Sequence, residues 1–329
     1  MYLSGLTDIR GRNVLRVLAF LLLIRLFVFF IPALSDESAM QNMSHIDYLF
    51  SLLNPNKFLS YILSTGLVFL TALALNNVVN QHEVLFKKGY LTAYFFCICS
   101  SFFPEYAMVS PIMVVNLIMV LAMQRIFELY KAPFPIDNVF LAGLLAGVCM
   151  LFSANYFPLY LYIVVAIIFF RNTKPREITA SLFGFLLPIF LASTTHYFFY
   201  ESFLYAPVLW PTFQFNQLLD YVLRPPFLVA LGVLLMATAR IARNFWRNNI
   251  KNRRVIQLLY LYIGMGFLLT ILTKTNAPLQ SMLMALPLSV LMAYYFTPEQ
   301  KLGRFKQILH VILLLSTFVY QYAFLFIKT

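Results

Sequence analysis

Asp36 and Glu37 stand side by side just beyond an apolar run that ends near Pro32. A carboxylate at that height could act as general base towards an acceptor hydroxyl, and the pair offers oxygen ligands that suit a divalent cation. The same acids could equally lie in a solvated loop and cap the helix that follows. Arg25 sits inside the apolar run, where a charge costs roughly 2.5–3.5 kcal/mol on insertion scales. It therefore needs a polar cavity, a partner, or a path for its long stem to the headgroups. Arg224 precedes Pro225-Pro226, and Lys274 opens the turn Lys274-Thr275-Asn276-Ala277-Pro278. Arginine offers a lipid phosphate a bidentate fork and lysine a point charge, although either could simply anchor a helix end at the interface. His45 and His196 could share a metal with Asp36 or Asp47, but no H-x-x-x-H or comparable spacing supports one, so no metal site is expected. The candidate set is Asp36 and Glu37 for catalysis, with Arg25, Arg224, Lys274 and His196 for binding a substrate or lipid phosphate.

The elements that must position these residues are membrane spans. Of the 329 residues, 61% are apolar and only 11% are charged, and the mean hydropathy is +0.80. Soluble domains carry about 25% charged residues, so this chain cannot cover a water-facing surface. A soluble enzyme, a disordered tail, a coiled coil and a disulfide scaffold are excluded. Cys97, Cys99 and Cys149 lie in apolar runs and read as small core residues. The net charge of +12 fits the positive-inside rule better than nucleic acid, which would need an aromatic-basic patch on a soluble fold.

The fold class is all-α and polytopic, a single integral membrane domain with about eleven transmembrane helices. A span needs roughly 20 mainly apolar residues, and the expected spans are 13–33, 58–79, 89–103, 108–124, 137–153, 157–170, 178–195, 226–241, 255–273, 278–296 and 307–327. The pair around Phe103-Pro104-Glu105-Tyr106 has short halves and could be one bent element. With residues 1–12 cytoplasmic and the first helix uncleaved, nineteen Lys and Arg fall inside and four outside, with Arg25 left in the first span. Six of the twelve acidic residues then lie on the outer face.

Two segments read as interfacial. In the outer loop 34–57, Met40, Met43, Ile46, Phe50 and Leu53 recur at helical spacing. In the basic segment 240–254, Arg240, Arg243, Arg247 and Lys251 interleave with Phe245, Trp246 and Ile250, a topology and anionic-lipid signal. Residues 196–225 form a long outer segment. Gly143-x-x-x-Gly147 is a close-packing patch. No internal repeat stands out, and the paired broken segments of an inverted-repeat transporter are not evident.

The first span with its internal Arg25, then Pro32 and Asp36-Glu37, then an interfacial helix, resembles membrane glycosyltransferases of the GT-C class. Ser110-Pro111 through Asn138 to Ala146-Gly147 is similar to their middle helices. Lys274 to Pro287 (KTNAPLQSMLMALP) is similar to the basic, Pro-bearing outer turn before a late helix. Taken whole, the chain also resembles an uncharacterised family of bacterial inner-membrane proteins of about this length. The GT-C resemblance implies a polyprenyl-phosphate-linked sugar as donor and Asp36 as base. It makes Glu37 a supporting acid or metal ligand, and Arg224 and Lys274 the donor-phosphate contacts. The chain departs from the class in being short and in lacking a soluble C-terminal domain.

Three functions follow as expectations. The first is sugar transfer at the outer leaflet of the bacterial inner membrane in cell-envelope glycan assembly. The second is a non-catalytic subunit or scaffold working with partner membrane proteins, and the third is a lipid or solute transporter in which Arg25 lines the pathway. Membrane lipids are expected partners in all three, and nucleic acid in none.

Overall fold

Apolar runs punctuated by proline and short polar turns can satisfy their backbone groups in lipid only as helices, and helices are what form. The computed structural model describes residues 11–26, 56–107, 109–130, 132–171, 175–200, 224–247, 249–272, 277–297 and 303–327, and no strand occurs among them. Twelve α-helices follow in order: α1 (Gly11–Arg25), α2 (Lys57–Gln81), α3 (Leu91–Cys99), α4 (Pro111–Glu128), α5 (Ile136–Phe152), α6 (Phe157–Phe170), α7 (Pro175–Tyr200), α8 (Pro225–Asn244), α9 (Ile250–Leu272), α10 (Ala277–Ser281), α11 (Ala285–Phe296) and α12 (Arg304–Ile327). Among the described residues, six segments are long and apolar enough to cross a membrane: α2, α4, α7, α8, α9 and the combined run Leu279–Phe296. The fold is therefore compatible with an integral membrane protein. The outer-loop helix expected within 38–53 lies outside the described residues.

The centre of the bundle is the pair α3 and α11, which pack against each other. Every residue of both helices is buried, so each is apolar all round, as a helix enclosed by other helices should be. Around them stand α1, α2, α8 and α9, and α12 packs on α8 while its His310 lies 2.9 Å from the Tyr94 hydroxyl of α3. By contrast α7 and α12 turn outward with large apolar side chains such as Phe183, Phe190, Ile308 and Leu315, a surface that suits lipid and not water.

Both central helices are interrupted. α3 ends at Cys99, and its nine residues rise only about 13 Å of a hydrocarbon core about 30 Å thick. A 3-10 turn follows at Pro104–Ala107. The chain restarts as α4 at Pro111, where proline suits the first helical position and Ser110 is extended. In the second half, α10 passes through the 3-10 turn Met282–Met284 into α11. A pair of broken segments is thus present, one in each half of the chain, and they touch. Hydropathy conceals them because the interrupting residues Phe102, Phe103, Met282 and Leu283 are as apolar as the helices they break. The pair expected at 89–103 and 108–124 is two helices separated by a 3-10 turn, not one bent element.

Two further expectations are refined. The basic segment 240–254 is not a helix lying on a surface: it is the last turn of α8, a 3-10 turn at Phe245–Arg247 and the first turn of α9. Gly143 and Gly147 do serve close packing within the chain. A Cβ on Gly143 would overlap the Ser181 carbonyl oxygen, one on Gly147 that of Phe185, and one on Gly184 that of Phe140. α5 and α7 are therefore in backbone contact, the geometry small residues permit between helices. Cys97, Cys99 and Cys149 are free and buried.

The loops assigned to the cytoplasmic face gather at one end of the bundle through their cations. Arg171 donates to the Ala132 carbonyl at 2.7 Å and Arg254 to the Phe170 carbonyl at 2.9 Å. Lys306 donates to Tyr295 O at 3.0 Å, and Arg240 to Thr297 O at 3.3 Å and also to Tyr295 O. Lys251 on α9 donates to His82 Nδ1, just past α2, at 3.0 Å. Burial, and then the Lys251 ammonium, push the His82 imidazole down from 6.5 to about 4, with Glu128 opposing. The unfolded chain then binds a proton at His82 that the folded one refuses between those two values. His82 therefore contributes stability above pH 6.5 that is lost as pH falls towards 4. The thermal midpoint of the detergent-solubilised protein is expected to fall between pH 7 and pH 5, and to fall less in His82→Gln. Equal pH slopes in the two proteins would contradict this.

Candidate functional site: a polar turn in the bundle core

Non-helical backbone at membrane depth is tolerated where protein encloses it and satisfies its polar groups. Residues 100–110 meet that condition. Ser100, Ser101, Phe103, Tyr106, Val109 and Ser110 are all buried, and side chains from four other helices reach them.

Arg25, the last residue of α1, is 1% exposed. Its Nη2 donates to the Ser100 carbonyl at 2.8 Å and to the Tyr106 carbonyl at 3.2 Å, and its Nε donates to Ser101 Oγ at 3.4 Å. The guanidinium thus caps the C-terminal end of α3, where the unpaired carbonyls carry partial negative charge. From α12, Gln321 donates its amide to the Ser101 carbonyl. From α2, Ser60 Oγ accepts the Val109 N–H at 3.4 Å. The Tyr106 and Ser281 hydroxyls lie 2.5 Å apart, and Asn116 on α4 donates to the Met282 carbonyl at 3.4 Å. These last two contacts join the two broken segments.

Arg224, which caps the start of α8, reaches the same turn. Its Nη1 lies 2.8 Å from Glu105 Oε1, and its guanidinium sits over the rings of Phe103 and Tyr320 at 5.2 and 5.9 Å. Pro225 and Pro226 open α8 and fix the chain direction just after this residue.

Two of the expected cations, Arg25 and Arg224, therefore converge on one turn, bonded to Tyr106 and Glu105 respectively. Arg224 is not solely a cation waiting for a phosphate: it already holds a carboxylate. Arg25 has no carboxylate within ion-pair distance among the described residues, and its Nη1 is buried with no hydrogen-bond partner. Glu105 Oε2 and Ser110 Oγ on the same turn, and Gln321 Oε1 from α12, are likewise buried and unpaired. His196 is not part of this arrangement. It lies near the end of α7, which packs chiefly on α5 and α6. Asp36, Glu37 and Lys274 lie outside the described residues. No group of three His, Cys, Asp or Glu side chains in metal-binding proximity occurs among the described residues.

The residues missed from sequence are Ser100, Ser101, Tyr106, Ser281 and Gln321. A signal for the turn exists in Ser100-Ser101-Phe102-Phe103-Pro104-Glu105: two serines, a proline and an acid interrupt an apolar run. Gln321 carried the weaker signal of a lone amide in the last apolar stretch.

Helices of this length and apolarity, folded around a buried polar turn, define a polytopic helical protein suited to a membrane. The chain belongs to DUF6427, a family of unknown function whose profile matches residues 38–329. No curated protein and no solved structure matches it.

Proposed function

We propose that the chain is a multi-pass protein of the bacterial inner membrane with eleven crossings and a cytoplasmic N-terminus. In this reading it transfers a sugar from a polyprenyl-phosphate donor at the outer leaflet. One observation supports the reading above the others: Arg25 is a buried cation with no acidic counter-ion among the described residues and one guanidinium nitrogen unused. Burying an uncompensated charge is costly, and an anionic ligand would relieve that cost. In the reaction, Asp36 takes the proton of the acceptor hydroxyl as its oxygen attacks the anomeric carbon. The bond from that carbon to the phosphate oxygen breaks, and its electron pair leaves with the polyprenyl phosphate. Arg25 and Lys274 offset the charge that develops there. Glu37 supports Asp36 or holds a divalent cation against the phosphate. Arg224 acts by fixing Glu105 and the turn. The combined variant Asp36→Asn, Glu37→Gln is expected to remove the glycan product while the protein stays folded in the membrane. An unchanged glycan profile in cells carrying only that variant would end the catalytic reading.

A second reading, transport, is favoured by the two broken segments that meet through Tyr106–Ser281. Half-helices of this kind build substrate sites in many transporters. It reverses the expected ranking: Arg25→Leu would abolish solute uptake, and Asp36→Asn would leave it intact. The scaffold reading draws its support from the intramolecular contacts that already engage Arg25 and Arg224. It expects Asp36 and Glu37 to tolerate substitution while Gly143 and Gly147 do not.

A further inference from the structure

Away from the polar turn, the opposite end of α8 carries a groove that none of these readings uses. Its volume is about 350 Å³, and it runs between α8 and α9 with Ile241, Phe245, Trp246, Ile256 and Tyr260 among its walls. Trp246 stands at its mouth with 77% of its surface exposed. Two nearby cations have other duties: Arg240 bonds the end of α11 and Arg254 the end of α6. Arg253 is different. It lies one turn before Ile256 and Gln257 on the same face of α9, and its guanidinium stacks 5.0 Å from the Trp246 ring and 5.6 Å from Phe245. It donates to the Trp246 carbonyl at 2.7 Å and is half-buried. Arg243 is exposed, near the end of α8.

Residues 240–254 contain six cations and no acid. A ligand there must carry net negative charge next to an apolar portion. The groove's apolar walls suit part of an acyl chain. We infer that this groove binds one anionic glycerophospholipid, with an acyl chain between α8 and α9 and the phosphate against Arg253 and Arg243. A zwitterionic lipid is disfavoured because its ammonium finds no carboxylate in the segment.

The test uses the full chain with Trp210→Phe, which leaves Trp246 as its sole tryptophan, reconstituted with brominated phosphatidylglycerol or brominated phosphatidylcholine. The anionic lipid is expected to quench Trp246 with an apparent affinity about fivefold higher for each cation that contacts it. That preference should drop about fivefold in Arg253→Gln, approach unity when Arg243→Gln is added, and persist in Arg253→Lys. Equal quenching by the two lipids, or a preference untouched by Arg253→Gln and Arg243→Gln together, would overturn the inference. The unsubstituted chain supplies a second readout, should Trp210→Phe disturb folding. Native mass spectrometry after detergent exchange should retain a phosphatidylglycerol that the double glutamine variant loses, and indiscriminate retention of phosphatidylcholine would count against the site. Neither readout depends on sugar transfer, on transport or on which face of the membrane the groove occupies.

Discussion

Arg25→Leu is expected to lower the stability of the detergent-solubilised protein by about 2–4 kcal/mol, the largest effect of any single polar substitution in the bundle. The reason lies in what the substitution leaves behind. The carbonyls of Ser100 and Tyr106 and the hydroxyl of Ser101 lose their donor. Each is buried in a stretch that cannot pair with itself as helix, and an unsatisfied buried acceptor costs about 1–3 kcal/mol. Removing the guanidinium also removes a buried charge, which offsets part of that loss. The offset is incomplete because the guanidinium already bonds the partial negative charge at the end of α3. Arg25→Lys keeps the charge and can satisfy one acceptor, so its loss should be about half as large. Thermal midpoints, together with proteolysis across residues 100–110, check both variants. A leucine variant as stable as the parent protein would mean that the turn is held by other contacts.

Breaking the Arg224–Glu105 pair should give the second largest effect. Both side chains are about four-fifths buried, at 20% and 24% exposure, so solvent screens the pair less than a surface bridge. Arg224→Gln strands the Glu105 carboxylate, whose Oε2 already lacks a partner, and it removes a cation from above the rings of Phe103 and Tyr320. A loss of about 1–3 kcal/mol is expected, below the range for a wholly buried pair. Glu105→Gln in the Arg224→Gln background should restore most of it, because two neutral amides replace a lone carboxylate. The double-mutant cycle measures this directly. Additive losses would show that Arg224 and Glu105 stabilise the turn independently. The same cycle bears on function. If the restored double variant also restores the glycan product, Arg224 serves the site only by fixing the turn. If stability returns without product, Arg224 contacts the donor after all.

Much of this architecture can be read from the sequence, and the limits have physical causes. Apolar runs and prolines mark the helices from α2 to α12, since spanning segments must be apolar and Pro111, Pro158 and Pro225 sit where helices begin. The packing role of Gly143 and Gly147 is legible too, because only small residues allow helix backbones to touch. Arg25 stands out as a charge in an apolar run. Its partners do not, because they are backbone carbonyls some 75 residues away in the chain, and carbonyls carry no sequence signature. The break is marked by Pro104-Glu105, but the helix stops at Cys99, short of the expected end at 103, because Phe102 and Phe103 keep the run apolar beyond it. Glu105 is visible as an acid at a turn, yet nothing local assigns it to Arg224, 119 positions later. The groove between α8 and α9 arises only when the basic segment folds back as a tight turn, which brings Trp246 and Arg253 together.

Binding of a polyprenyl monophosphate to the purified chain, by native mass spectrometry in parallel with Arg25→Lys and Arg253→Gln, is the most direct measurement of the proposed role of Arg25. The lysine variant retains the charge but loses the fork and its unused Nη1. The parent protein and Arg253→Gln should hold one polyprenyl phosphate, while Arg25→Lys should hold it at least about tenfold more weakly, the loss expected when a charge-assisted hydrogen bond is removed. Equal binding by the parent and Arg25→Lys, or no binding by the parent, would contradict the assignment of Arg25 to a lipid phosphate.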